Sequence, residues 1–204
     1  MSETTAIPAP ETRIAISFVG DALGPFFLED PEKGKAAASF KGFRALDAAE
    51  AADEWPFGER ALVREGLENM TRGLADGITD ELTWEYRRLF VGPGHKAAAP
   101  WGSVYTDRDG VIFGESALDL AAWMRANGIA RRASDGDPED HIGLLLLMMA
   151  WISRHHPELL AELLRDHILT WAPGYLEQLE RVAEHPFYIG LAQLTRASLE
   201  GMNL

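Results

Sequence analysis

Apolar residues recur at helical spacing along most of the chain. After Glu59 they fall three to five positions apart as far as Leu74, and Gly77 follows where a helix commonly stops. A second, narrower stripe begins after the capping residue Thr79, and its members are Leu82, Tyr86, Leu89 and Phe90. Both patterns predict amphipathic helices with one apolar face.

The N-terminal part of the chain gives weaker signals. Residues 12–28 are apolar enough for a first helix, although two glycines and a proline leave the end of that helix undefined. Residues 31–55 are rich in alanine and in charged side chains, which predicts one or two short helices broken near Gly42. The order of elements is therefore clearer after Glu59 than before it.

The most apolar stretch of the chain is residues 142–152, which only Gly143 interrupts. Asp137 is predicted to cap this helix and Pro138 to occupy its first position. A helix that is apolar on all sides is typical of a central element covered by its neighbours. Three later helices are predicted to begin at or near prolines, namely Pro157, Pro173 and Pro186.

Length and pattern together indicate the fold class. A chain of 204 residues with 47% hydrophobic content can bury a substantial core. The sequence contains neither an extended strand pattern nor an internal repeat. We therefore predict an all-α fold in which residues 1–204 form a single compact domain of about nine or ten helices.

Residues 91–114 lack helical periodicity and are rich in glycine and proline. Compact domains seldom contain structureless connections longer than about 12–15 residues unless these are functional or are linkers. Trp101 and Tyr105 make this stretch too apolar for a solvated linker. We predict a long ordered loop with a small hairpin around residues 109–110, packed against the helix start at Pro138.

Composition restricts the partners. The net charge of −13 would repel a phosphate backbone, so no nucleic-acid partner is expected, whereas a cationic peptide would be attracted. The chain has no cysteine, which excludes disulfides and thiolate metal sites. No export signal is visible at the N-terminus, and no apolar run approaches the ~20 residues of a membrane span. We expect a cytoplasmic protein that does not insert into membranes.

Catalytic motifs are absent from the sequence, and no two of the six histidines are four residues apart. No metal site and no cofactor are therefore predicted. The cluster Glu139, Asp140 and His141 allows two interpretations: acids and a histidine that start a helix, or a functional site. A hydrolase that uses Asp140 and His141 is the enzymatic alternative. The Arg87–Arg88 pair indicates a solvated face or internal salt bridges.

Four stretches in order resemble the TorD/DmsD family of redox-enzyme maturation chaperones: "EYRRLFVGPG", "APWGSVYTDRDGVIFGES", "DPEDHIGLLLLMMAW" and "AEHPFY". The resemblance extends over roughly residues 84–199. The family signature pairs a Tyr/Trp-x-x-Leu-Phe helix with an acidic Glu-Pro-x-Asp-His helix start. The one departure is Asp137, which stands where glutamate is usual and keeps the charge.

The resemblance implies a cytoplasmic chaperone and not an enzyme. It would bind the twin-arginine signal peptide of a molybdopterin-dependent reductase subunit and hold the folded part of that subunit until cofactor insertion and folding precede export. The export machinery would be a further partner, and either a monomer or a dimer is compatible with such a chain. Guanine-nucleotide binding is sometimes attributed to the family, but this sequence contains no phosphate-binding loop.

A receptor for such a peptide needs an apolar groove beside acidic groups, because the peptide combines a cationic head with an apolar segment. Glu139 and Asp140 would offer carboxylates to guanidinium groups, and His141 would orient an acid or contact the peptide. The predicted signal-peptide site consists of Tyr86, Leu89, Phe90, Pro100, Trp101, Gly114, Asp137, Pro138, Glu139, Asp140 and His141.

Overall fold

Helices form all the regular secondary structure of the computed structural model, which describes residues 7–33, 36–91, 96–107, 114–130 and 138–202. The all-α prediction is confirmed for this part of the chain. Its helices are α1 (Pro10–Leu28), α2 (Ala36–Arg44), α3 (Ala48–Glu54), α4 (Arg60–Gly73), α5 (Asp80–Phe90), α6 (Ser103–Thr106), α7 (Glu115–Ala126), α8 (Ile142–His155), α9 (Leu160–Glu162), α10 (Ala172–Val182) and α11 (Pro186–Glu200).

Helices α1 and α8 pack closely because glycines remove side chains from their contact. A Cβ atom at Gly20 would lie 2.9 Å from the Ala150 Cβ, and one at Gly143 would lie 2.8 Å from the Gly24 carbonyl oxygen. The two glycines that left the end of the first helix undefined in the sequence therefore lie inside α1, which continues to Leu28. Backbone proximity, rather than helix termination, accounts for them.

Helices α4 and α11 form a second close pair on the same principle. A Cβ at Gly190 would lie 2.6 Å from the Met70 backbone nitrogen, and one at Gly66 would lie 2.9 Å from the Leu194 backbone nitrogen. Helix α10 also packs on α11, and α3 packs on α4. The core is continuous, and its largest fully buried side chains come from several of these helices: Phe26, Phe27, Phe40, Tyr175, Phe187 and Tyr188.

The start of α8 differs from the prediction. The helix begins at Ile142, and its N-cap is His141, whose backbone is extended at φ −66° and ψ 130°. Pro138 precedes the helix in a turn closed by a hydrogen bond from the His141 backbone N–H to its carbonyl oxygen. Pro138 is therefore not the first helical residue, and Asp137 lies outside the described residues. Backbone hydrogen bonds with residues 100–102 hold the His141 backbone in its extended conformation.

The later helices begin as predicted but are less regular. Pro186 opens α11, and Pro173 lies in the first turn of α10. Pro157 opens a 3-10 turn (Pro157–Leu159), which leads into α9 and then into a π-helical turn (Leu163–Ile168). Among the described residues, no helix is long and apolar enough to cross a membrane.

Replacing Gly190 with alanine tests the α4–α11 contact. The added methyl group must displace backbone atoms of α4, so we expect Gly190→Ala to lower the free energy of unfolding by about 3 kcal/mol. Gly174 is the matched control, because a Cβ there meets nothing within 4 Å. Gly174→Ala should raise the stability by about 0.5–1 kcal/mol. Urea unfolding followed by circular dichroism measures both, and equal effects would contradict the packing described.

Candidate functional site

Residues 100–103 lie against the start of α8 and are held there by backbone hydrogen bonds. The Ile142 N–H donates to the Pro100 carbonyl oxygen at 2.8 Å, and the Gly102 N–H donates to the Asp140 carbonyl oxygen at 3.1 Å. Trp101 and His141 are the partners of the antiparallel bridge that results. We call this contact the clasp. Residues 100–103 of the long loop are therefore packed on the α8 start, as predicted for the loop.

The carboxylate of Asp140 completes the clasp from inside. Its Oδ2 accepts a hydrogen bond from the Ser103 backbone N–H at 2.7 Å, and the side chain is only 4% exposed. Burial raises the pKa of Asp140, because desolvation of the charged form outweighs the hydrogen bond from Ser103. Asp140 thus joins the loop to the helix, and this contact requires desolvation of its charged form.

His141 is the second buried polar residue of the clasp. Its Nδ1 accepts a hydrogen bond from the Gly143 backbone N–H at 3.1 Å, so the ring caps its own helix. The indole of Trp101 packs edge-on against the imidazole, with ring centroids 5.7 Å apart. A neutral imidazole that accepts at Nδ1 has its proton on Nε2. The cap therefore selects one tautomer of the neutral ring.

An open groove of about 380 Å³ lies beside the clasp, between α7 and α8. We call it the α7–α8 groove. Its wall is apolar except for Glu139, which is half-buried at the α8 start. The lining residues are Met124, Ile129, Ala130, Glu139, Leu144, Leu147, Met148 and Trp151. This groove differs from the predicted one: of the predicted site residues only Glu139 lines it, and its α8 residues were interpreted from sequence as core.

The aromatic half of the signature lies in the core. Tyr86, Leu89 and Phe90 are all buried. The Phe90 ring contacts the rings of Phe27 and Tyr188 at centroid distances of 5.9 and 5.6 Å. Among the described residues, these three belong to the core and not to the α7–α8 groove.

The two halves of the signature are nevertheless connected. Phe27 contacts Phe90 on α5, and its Cβ lies 3.0 Å from where a Cβ of Gly143 would be placed on α8. Phe27 therefore packs both on α5 and on the helix start that forms the clasp. The structure joins the halves by packing rather than by a shared surface.

Gly114 closes the other end of the long loop. It precedes α7, and a Cβ there would overlap the Asp107 carboxylate. The same carboxylate accepts a hydrogen bond from the Ser116 backbone N–H at 3.0 Å, which ties Asp107 to the first turn of α7. Tyr105 and Thr106 belong to the short helix α6, so these two residues are not part of the predicted hairpin. Its turn at residues 109–110 lies outside the described residues.

Glu85 and Arg88 have a role that the sequence did not reveal. Arg88 donates to both carboxylate oxygens of Glu85, at 2.6 and 2.8 Å, and to the Val182 carbonyl oxygen at 2.7 Å. Glu85 also accepts from the backbone N–H of Glu184 at 2.7 Å. Burial alone would raise the pKa of Glu85, but Arg88 and these backbone donors hold it below its ordinary value. The pair fixes α5 to the α10–α11 connection.

Both parts of the interpretation of the twin arginine hold, because Arg87 forms ion pairs on an exposed face and Arg88 forms a largely buried one. Arg87 donates to Asp30 at 3.0 Å and to Glu32 at 2.7 Å, while Arg88 binds Glu85. Glu85 and Arg88 come from the stretch "EYRRLFVGPG", and Glu184 comes from "AEHPFY". These two stretches thus form one structural unit.

The enzymatic alternative, a hydrolase that uses Asp140 and His141, receives little support from this geometry. The described residues contain no group of three or more His, Asp or Glu side chains that could hold a metal ion. Asp140 is engaged by the Ser103 N–H and His141 by the Gly143 N–H, so both serve the backbone of the clasp.

Comparison with known proteins identifies the family. The family model described as nitrate reductase delta subunit matches residues 59–177. The "Probable Tat proofreading chaperone DmsD" of Haemophilus influenzae is 36% identical over 185 residues, which cover 91% of this chain and 88% of that protein. The Tat proofreading chaperone DmsD of Salmonella typhi is 37% identical over 180 residues, 87% of this chain and 83% of that protein.

More distant similarities agree with this result. The chaperone protein TorD of Vibrio cholerae is 26% identical over 132 residues, 59% of this chain and 60% of that protein. A crystal structure described as that of a redox enzyme maturation protein from Archaeoglobus fulgidus has the same fold, with a TM-score of 0.57 at 21% identity over 98% of this chain and 99% of that one. The chain therefore belongs to the nitrate reductase delta subunit family, the family of the DmsD and TorD chaperones.

Proposed function

We propose that this protein is a cytoplasmic redox-enzyme maturation chaperone that binds a twin-arginine signal peptide in the α7–α8 groove. The client is a molybdopterin-dependent reductase subunit, held until cofactor insertion and folding precede export. The observation that carries the proposal is an apolar groove with Glu139 at its edge. The names of the relatives, Tat proofreading chaperones, support the same function.

The groove suits a peptide with a cationic head and an apolar segment. Its apolar wall can cover leucine-sized side chains, and Met124 and Met148 can adapt to differently shaped ones because methionine is unbranched and flexible. Glu139 offers a carboxylate to a guanidinium group at the edge. The net charge of −13 adds a long-range attraction that accelerates encounter with a cation.

Asp140 and His141 act in this proposal by building the site. Asp140 is buried against Ser103, so Glu139 is the acid better placed for direct contact with a peptide arginine. Trp101, Pro100 and Pro138 shape the clasp. The core residues Tyr86, Leu89 and Phe90 belong to α5, and Phe90 contacts Phe27, which lies beside Gly143 at the α8 start. Gly114, which has no side chain, allows the Asp107 carboxylate to lie close to the start of α7. Asp137 stays part of the predicted site, although it lies outside the described residues.

Charge placed in the groove should weaken peptide binding. The probe is a model peptide with an Arg-Arg head followed by a leucine–alanine stretch. Met148→Lys introduces a cation into the apolar wall, so we expect its affinity, measured by calorimetry, to fall by at least about tenfold, or 1.4 kcal/mol. Leu118→Lys is the matched control, because Leu118 lies exposed on α7 and does not line the groove.

The same peptide separates electrostatic capture from apolar retention. Association measured by stopped-flow fluorescence should slow as salt rises, whereas dissociation should change little. Glu139→Gln should lower the association rate of the peptide and leave the apolar contribution to its dissociation rate unchanged. Equal affinity of the Met148→Lys and Leu118→Lys variants would remove the α7–α8 groove from the proposal.

The buried carboxylate of Asp140 predicts a pH-dependent stability difference. Because its pKa is raised above the ordinary 3.8, folding favours the protonated form, and its contribution to stability is lost as pH rises from that value through the folded-state pKa. The neutral Asp140→Asn variant can still accept from Ser103 and lacks this titration. Thermal melts should therefore show its stability gaining on the wild type as pH rises, then levelling off. A pH-independent difference would contradict burial of the carboxylate.

A further inference from the structure

A second groove, of about 400 Å³, lies between the first half of α5 and the start of α11. We call it the α5–α11 groove. Its lining residues are Asp80, Glu81, Trp84, Glu85, Glu184, His185 and Pro186, and none of them belongs to the α7–α8 groove. Four of these seven side chains are acids. The packing and capping described above do not account for the wall formed by Trp84.

Trp84 is much more exposed than the other aromatic residues of α5. Its side chain is 58% exposed, whereas Tyr86 and Phe90, the next aromatic residues of α5, are buried in the core. The Arg88 guanidinium lies 5.7 Å from the centroid of the Trp84 ring. The indole is thus already placed beside one cation, in the geometry by which aromatic rings attract guanidinium groups. Its large exposed surface contributes nothing to the core.

The acids of the groove are only partly neutralised by the protein. Arg88 is committed to Glu85 and to the Val182 carbonyl oxygen, and it lies 4.0 Å from the nearest Glu184 oxygen. Asp80 and Glu81 stand in the first turn of α5, where they also favour the helix start. His185 caps α11 through Nδ1, and burial lowers its pKa, which favours the neutral ring near pH 7. The groove therefore presents negative charge beside an exposed indole.

We propose that the α5–α11 groove binds an arginine side chain of a partner polypeptide. A guanidinium can lie flat on the exposed indole and donate hydrogen bonds to Glu184 and Glu81 at the same time, because it is planar and carries five N–H donors. The bidentate geometry favours arginine over lysine. This site goes beyond signal-peptide binding in the α7–α8 groove, and the chaperone would hold its partner at two separate points.

The indole N–H resonances of the tryptophans test the site directly. The full-length protein, labelled with ¹⁵N, is titrated at pH 7 and low salt with the blocked dipeptide Ac-Arg-Arg-NH2, and Ac-Gln-Gln-NH2 is the control probe. Trp84→Phe assigns the Trp84 resonance. We expect that resonance to shift saturably with the arginine probe, at a dissociation constant on the order of millimolar, and not with the glutamine probe. Trp151 lines the α7–α8 groove and reports that site in the same spectrum.

The charge dependence separates specific binding from general attraction. The double variant Glu81→Gln, Glu184→Gln should bind the arginine probe about three- to tenfold more weakly at Trp84, because two exposed ion pairs are lost. Glu200→Gln, an exposed acid at the end of α11, should leave the Trp84 titration unchanged. An absent Trp84 shift, an equal shift with Ac-Gln-Gln-NH2, or an unchanged affinity in the double variant overturns the proposal. Changes confined to Trp151 would overturn it while leaving signal-peptide binding supported.

Discussion

The hydrogen bond from the Ser103 backbone to the buried Asp140 carboxylate is the contact on which the site depends. It fixes the segment that leads into α6 onto the start of α8, beside the backbone hydrogen bonds that keep His141 extended, so that the helix begins at Ile142. The adjacent Glu139 is thereby placed at the edge of the α7–α8 groove. A buried acid is costly, and the raised pKa of Asp140 reflects that cost. Asp140 therefore connects the loop, the start of α8 and the edge of the α7–α8 groove.

Helix packing supplies the rigid frame for this arrangement. Gly20, Gly24 and Gly143 allow α1 and α8 to approach closely, and Gly66 and Gly190 do the same for α4 and α11. Phe27 on α1 contacts Phe90 on α5 and also lies close to Gly143 at the α8 start. The signature residues of the family therefore contribute differently: some form the core that positions α8, and others form the clasp. Both are required before a surface groove can have a defined shape.

The sequence predicted the helical class, most helix starts and the contact between the long loop and α8, because periodicity, capping residues and apolar loop residues are local signals. It did not predict that His141 rather than a residue before it caps α8, since that depends on backbone pairing with residues 100–102. The groove was also missed, because a helix that is apolar all round gives no sign of which face its neighbours leave open. Glu85 was passed over since its backbone donors at Glu184 and His185 lie about a hundred positions away.

Amide hydrogen exchange measures the clasp most directly. The account predicts that the Gly102, Ser103 and Ile142 amides of the wild type are strongly protected, because each donates to a buried acceptor of the clasp. In Asp140→Ala, exchange at Gly102 and Ser103 should accelerate by about ten- to a hundredfold, while amides of α11 such as Leu191 stay unchanged. Loop amides that already exchange at unprotected rates in the wild type would contradict the account.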